Sequence, residues 1–123
     1  MAHDRERTEK VAAVMQQLHA DGVQPVWVDR APVFDKVTLL HALYQALQLP
    51  AWFGFNWDAL EECLRDIASD KDVPHVLVFN DFELLEERDP ETAETFLDII
   101  RTISSQPASR LRGIVRVPSI LAE

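Results

Sequence analysis

Apolar positions recur along this chain with a helical period in some segments and as short unbroken runs in others. From Asp4 to Ala20, Val11, Val14, Met15 and Leu18 fall at i, i+3, i+4 and i+7, one face of a helix, and Gly22 supplies a stop. "VQPVWVD", Val23 to Asp29, has the β-branched content of a strand, with Pro25 marking its start or a sheet edge. After the loop "APVF", Asp35 is placed to cap a helix whose apolar set is Val37, Leu39, Leu40, Leu43, Tyr44 and Leu47. Pro50 ends it, because the residue before a proline avoids helical geometry. A further helix is predicted from about Asn56 to Ala68, followed by the loop "SDKDVP". "HVLVFND", His75 to Asp81, is nearly devoid of polarity, as a buried parallel strand would be. "FELLEERD" reads as a short helix or turn, and Pro90 suits the first position of the next helix. That helix carries Ala93, Phe96, Leu97, Ile99, Ile100 and Ile103 on a broad apolar face. The loop "SSQPASR" leads to a last strand, Leu111 to Pro118.

Strands that alternate with helices predict an α/β fold with a small three-stranded parallel sheet, for which one layer of helices suffices. The first helix stands apart from that alternation. Residues 1–22 read as an N-terminal helical extension and residues 23–123 as the main domain. The extension is expected to act as a lid over an otherwise exposed edge or face of the sheet. A partner surface or a dimer contact is its alternative use; otherwise the chain is expected to be a monomer.

The densest chemistry lies in "LPAWFGFNWDALEECLRD", Leu49 to Asp66. Trp52, Phe53, Phe55 and Trp57 crowd into six positions, and Asp58, Glu61, Glu62 and Asp66 follow. Asn56 is suited to an N-cap, which puts Phe55 and Leu60 at the spacing of a hydrophobic staple. Gly54 is expected to provide the sharp turn before the cap. Trp57, Leu60, Leu64 and Ile67 form the stripe that faces the core, with Cys63 at its border. Phe53, Phe55 and Trp57 are expected to tuck under the fold, and Trp52 to stay partly exposed. Asp58, Glu62 and Asp66 stand in one column at i, i+4 and i+8. Like charges at that spacing cost about 0.2–0.5 kcal/mol per pair. The helix dipole offsets this for Asp58 in the first turn, but not for Asp66. A solvated acidic face is the plain reading of such a column; exposed rings beside it suggest the anchors of an interface with a basic partner.

Composition narrows the choice. Lys plus Arg is 12 and Asp plus Glu is 21, a net charge of −9. Direct nucleic-acid binding is disfavoured, since phosphates are repelled, and a cationic protein partner is favoured. The single cysteine, Cys63, precludes an internal disulfide and fits a reducing compartment. "MAHDRERTEK" has no apolar core of a secretion signal, and no run approaches the length of a membrane span, so the cytoplasm is the expected location. Catalysis finds little support. No histidine stands at metal-ligand spacing, no cofactor or metal is implied, and no nucleophile elbow or phosphate loop is present. His41, mid-helix, and His75, opening a strand, are expected to be structural. Cys63 is surrounded by acids that raise its pKa and make it a poor nucleophile.

The stretch from Leu49 to Ile67 resembles the signature of barstar-type proteins, intracellular inhibitors of secreted ribonucleases. It carries an aromatic pair (Trp52, Phe53), Gly54, one residue, Asn56, apolar Trp57, Asp58-Ala59-Leu60, two residues, then Cys63-Leu64. The resemblance extends from about Val23 to Pro118 and leaves out the first helix. It implies a loop and helix that plug a ribonuclease active site, with carboxylates standing where RNA phosphates sit. By position, Trp52, Gly54, Asn56, Trp57 and Asp58 match interface residues. Glu62 matches the family's central acid, usually the shorter aspartate. Glu61 falls where the best-known member has an aromatic residue, and Thr102 where it has an acid; Ile99 and Thr102 would add contacts from the later helix. The partner implied is a basic ribonuclease or ribonuclease toxin. An acidic adaptor for another basic protein, or for a non-ribonuclease toxin, remains the rival reading, because a fold does not fix a function.

Overall fold

Residues His75–Asn80, the apolar run, form the middle strand of the sheet, paired in parallel on both sides. The computed structural model describes residues 2–117 except 30, 71 and 81. Its elements are α1 (Ala2–Ala20), β1 (Gln24–Val28), α2 (Lys36–Ala46), α3 (Trp57–Asp70), β2 (His75–Asn80), α4 (Phe82–Arg88), α5 (Pro90–Ser104) and β3 (Leu111–Val117), with sheet order β1-β2-β3. This is the predicted α/β architecture with its three-stranded parallel sheet. The segment "FELLEERD" resolves to a helix, and α3 runs two residues past the expected Ala68. Asp81 and Pro118, expected at strand ends, and Lys71, expected in a loop, lie outside the described residues.

Successive side chains of β2 point to opposite faces, and both faces are buried. Leu77 and Phe79 enter the larger core, where Leu39 and Leu43 of α2, Leu60 and Leu64 of α3, Leu85 of α4 and Phe96 and Ile100 of α5 converge. Phe79 meets the edges of Phe82 and Phe96 at centroid distances of 5.1 and 5.7 Å, a favoured aromatic geometry. Val76 and Val78 point the other way, with Val117, and half-buried Val11, Val14, Met15 and Leu18 of α1 cover them. One layer of helices therefore does not suffice. A strand apolar on both faces needs cover on both, and α1 is the lid on the second face.

Two local devices of α2 bear on the site. Its N-cap Asp35 accepts from the backbone N–H of Thr38, and the Thr38 hydroxyl accepts from the Asp35 N–H, closing a capping box. The Thr38 N–H, and the Thr38 hydroxyl that also donates to the Asp35 carboxylate at 2.8 Å, hold that carboxyl below its usual pKa. At the other end Gln48 adopts the left-handed conformation at φ 51°, and Leu49 N–H reaches back to the Tyr44 carbonyl, so the helix stops before Pro50. Of the apolar set expected on α2, Val37 is the exception: it is 63% exposed.

The register between β2 and β3 slips by one residue. His75 pairs with Leu111, but Leu77 pairs with Ile114. Gly113, at φ 124°, lies in the extra turn of chain, a conformation that side-chain-bearing residues rarely adopt. A methyl group there would meet no atom within 4 Å, so only backbone strain opposes it. Gly113→Ala should therefore lower the unfolding free energy by about 1–3 kcal/mol, measured by urea denaturation, while leaving the sheet assembled.

Candidate functional site

A cap, a ring cluster and a cation tie the segment from Trp52 to Glu62 to the rest of the fold. The side-chain oxygen of Asn56 accepts from Ala59 N–H at 2.8 Å, so Asn56 is the N-cap of α3 as its position suggested. The chain reaches that cap by an unexpected route. Gly54 does not carry the left-handed turn; Phe55 does, at φ 52°, which is uncommon for a bulky residue. Gly54 serves a different need. A Cβ there would lie 3.0 Å from the Asn56 amide nitrogen, so glycine leaves room for the capping side chain.

Ring contacts offset the strain at Phe55. Its ring lies 4.5 Å from His41, 5.2 Å from Tyr44 and 4.8 Å from Phe53, centroid to centroid. Phe53 is buried, and Trp57 is half-buried against the core, as expected. Phe55 is not tucked away: it stays 37% exposed, resting on α2. His41 is exposed rather than enclosed, and its ring supports the loop. The Lys36 ammonium sits over Trp57, 5.1 Å from the ring centre, a cation–π contact that ties the first turns of α2 and α3 together. Trp52 stands 60% exposed at the tip of the loop.

Past the cap, α3 turns its acids outward. Asp58, Glu62 and Asp66 are exposed, and none forms an ion pair among the described residues. Glu61 differs, because Arg65 donates to it at 2.7 Å. Arg65 stands at i+3 from Glu62 as well as i+4 from Glu61, so by engaging Glu61 it leaves Glu62 unneutralised. Cys63, beneath this face, is buried; burial pushes its thiol pKa up, and the charges of Glu62 and Asp66 push it further. That is the opposite of what a catalytic thiol requires. Among the described residues no cluster of three His, Cys, Asp or Glu side chains is arranged to hold a metal ion.

The two positions expected from α5 part company. Thr102 is exposed, and its hydroxyl donates to the Asp98 carbonyl. Ile99 is only 9% exposed and belongs to the main core, where it fills space. Two open grooves indent the surface. One of about 490 Å³ runs between α1 and β1, lined by Met15, His19, Val23, Pro25 and Val73; another of about 310 Å³ lies beside Val26, Leu47 and Ile67. Neither is lined by any residue between Trp52 and Glu62, so the rings and acids do not line either groove.

Residues 23–115 match the family model described as Barstar (barnase inhibitor). That span is well over half of the sequence. The chain belongs to the barstar family. No curated protein matches the chain. The barstar match includes the Trp52–Glu62 segment, α5 and all but the end of β3, and it begins just after α1. It is a family of inhibitors rather than of enzymes. No helix among the described residues is long and apolar enough to cross a membrane.

Arg65 and Lys36 are neighbours of the candidate site that the sequence pattern did not single out. The Glu61–Arg65 spacing was visible in the sequence; the approach of Lys36 to Trp57 requires the tertiary fold. If the Asn56 cap fixes the start of α3, Asn56→Ala should cost about 1 kcal/mol in stability. Asn56→Asp should cost far less, because its carboxylate also caps and suits the positive end of the helix dipole. Thermal unfolding of the two variants decides this.

Proposed function

We propose that this protein is a cytoplasmic inhibitor, an immunity protein that blocks the active site of a basic ribonuclease by placing Asp58 and Glu62 where RNA phosphates bind. The observation that carries the reading is that neither carboxylate forms an ion pair among the described residues. They face water on a capped helix end, and the arginine of their own helix is paired with Glu61. A ribonuclease cleft must hold cations to grip phosphate, so an acidic protrusion meets opposite charge there. Such complementarity speeds encounter and fixes register. The column's self-repulsion is then relieved only in the complex.

The other residues take roles that follow from their surroundings. Trp52 is the exposed aromatic anchor, and Trp57, steadied by Lys36, lines the contact at its base. Gly54 and Asn56 set the approach of the loop. Glu61 acts chiefly by sequestering Arg65. Thr102 is available for a peripheral contact, whereas Ile99, facing the core, supports α5 from within. Chemistry by this chain is not part of the reading, since its thiol is disfavoured and the acids lack an assembled partner group.

The test is inhibition of barnase and a panel of purified basic secreted bacterial ribonucleases. At least one should lose activity at stoichiometric inhibitor. With that enzyme, Glu62→Ala should weaken binding by about 2–5 kcal/mol, because the partner's cation is left buried and unpaired. Glu86→Ala should change it little, since Glu86 is already paired to Arg116 at 3.1 Å. Equal losses for the two variants would remove Glu62 from the centre of the interface. Failure against every ribonuclease, with capture of a non-nuclease basic protein instead, would favour an adaptor.

A further inference from the structure

Exposed apolar side chains are concentrated on one part of this molecule. Among the described residues, the large hydrophobic side chains open to solvent are Phe34, Val37, Trp52, Phe55 and Val73. Four of these five belong to the α2 start and the loop before α3. The fold makes those two segments one surface. Val37 and His41 are one helical turn apart and share a face of α2. His41 stacks on Phe55 at 4.5 Å, and Lys36, adjacent to Val37, lies over Trp57. Phe34 sits at the mouth of the same helix, its N–H donating to the Thr38 hydroxyl.

Val37 contributes little to the core. It is a β-branched residue in the first turn of a helix, with most of its surface in water. Contiguous apolar surface rimmed by charge marks an interaction site rather than an accident of composition. From this we infer that the docking surface extends beyond the loop and α3 onto the first two turns of α2, with Phe34, Val37 and His41 forming an apolar shoulder. Its occupant is the same basic nuclease that receives Asp58 and Glu62, meeting the shoulder with an apolar rim beside its cationic cleft. Continuity through the His41–Phe55 stack and the acidic column next to it select that occupant. This inference rests on the inhibitor reading and adds a specificity-determining element to it. The carboxylates would suit any phosphate-binding cleft, whereas the shoulder suits only a cleft with a matching rim.

Val37→Ala and Val37→Arg are compared with wild type against whichever ribonuclease of the panel, barnase included, the wild type inhibits. Val73→Ala, an exposed valine beside the α1–β1 groove, is the control. Truncating Val37 should weaken binding roughly three- to tenfold, as loss of two desolvated methyl groups implies. Val37→Arg should weaken it more, and Val73→Ala should leave it unchanged. Thermal unfolding of each variant confirms folding, since none of the changes touches the core. Wild-type affinity in Val37→Ala and Val37→Arg would overturn the shoulder and leave the inhibitor reading intact. No inhibition by the wild type of any ribonuclease tested would overturn both. A homodimer that Val37→Arg dissociates, with nuclease binding unaffected, would assign the patch to a second copy and overturn the inference.

Discussion

The hydrogen bond from Ala59 N–H to the Asn56 side chain decides where α3 begins, and the direction of every acid on that helix follows from it. Moving the start by one residue would rotate Asp58 and Glu62 by about 100° around the axis, since a turn contains about 3.6 residues. The cap is reached through a backbone twist that few residues tolerate, at Phe55. Rings from α2 and the Phe53 ring compensate that twist. The acidic face is therefore oriented by the core through a chain of packed aromatics, rather than by hydrogen bonds among the acids.

This arrangement divides one helix between the core and the proposed docking surface. Leu60, Cys63 and Leu64 point into the core, and Asp58, Glu62 and Asp66 point into water. An acid column adds nothing to the fold and slightly weakens it. Arg65 would be the natural remedy, yet it pairs with Glu61. Exposed ion pairs contribute little to stability, so that pairing adds little to the fold. Carboxylates carried on a capped helix have less backbone entropy to lose on docking than those on a flexible acidic tail, although their side chains must still be ordered.

Much of this was legible in the sequence because the signals are local. Helix and strand periods, the Asp35 and Asn56 caps, the Pro50 stop and the Pro90 start all act within a turn of the residue concerned. The aromatic-Gly-x-Asn-x-Asp-Ala-Leu run carried the family. What was misread depends on distant neighbours. Phe55 looked like a buried ring and Gly54 like the turn residue, because nothing local shows that His41 and Tyr44 wait beside the loop. Val37 matched the apolar period of α2 yet faces solvent; period alone does not show how wide a helix face the core will accept. Ile99 was expected with Thr102 on the contact face of α5 but fills the core. One helix layer was expected to suffice, whereas the second apolar face of β2 needs α1, the lid that residues 1–22 were expected to form.

The central claim is that Asp58 and Glu62 occupy phosphate sites, and competition tests it directly. The apparent affinity of the protein for a susceptible ribonuclease is measured against rising concentrations of a short non-cleavable oligonucleotide. Mutually exclusive binding requires the apparent Kd to climb linearly with free oligonucleotide concentration, without a plateau and with no ternary complex in sedimentation. A Kd indifferent to the oligonucleotide, or a stable complex of all three, would place the acids elsewhere on the enzyme and contradict the phosphate mimicry.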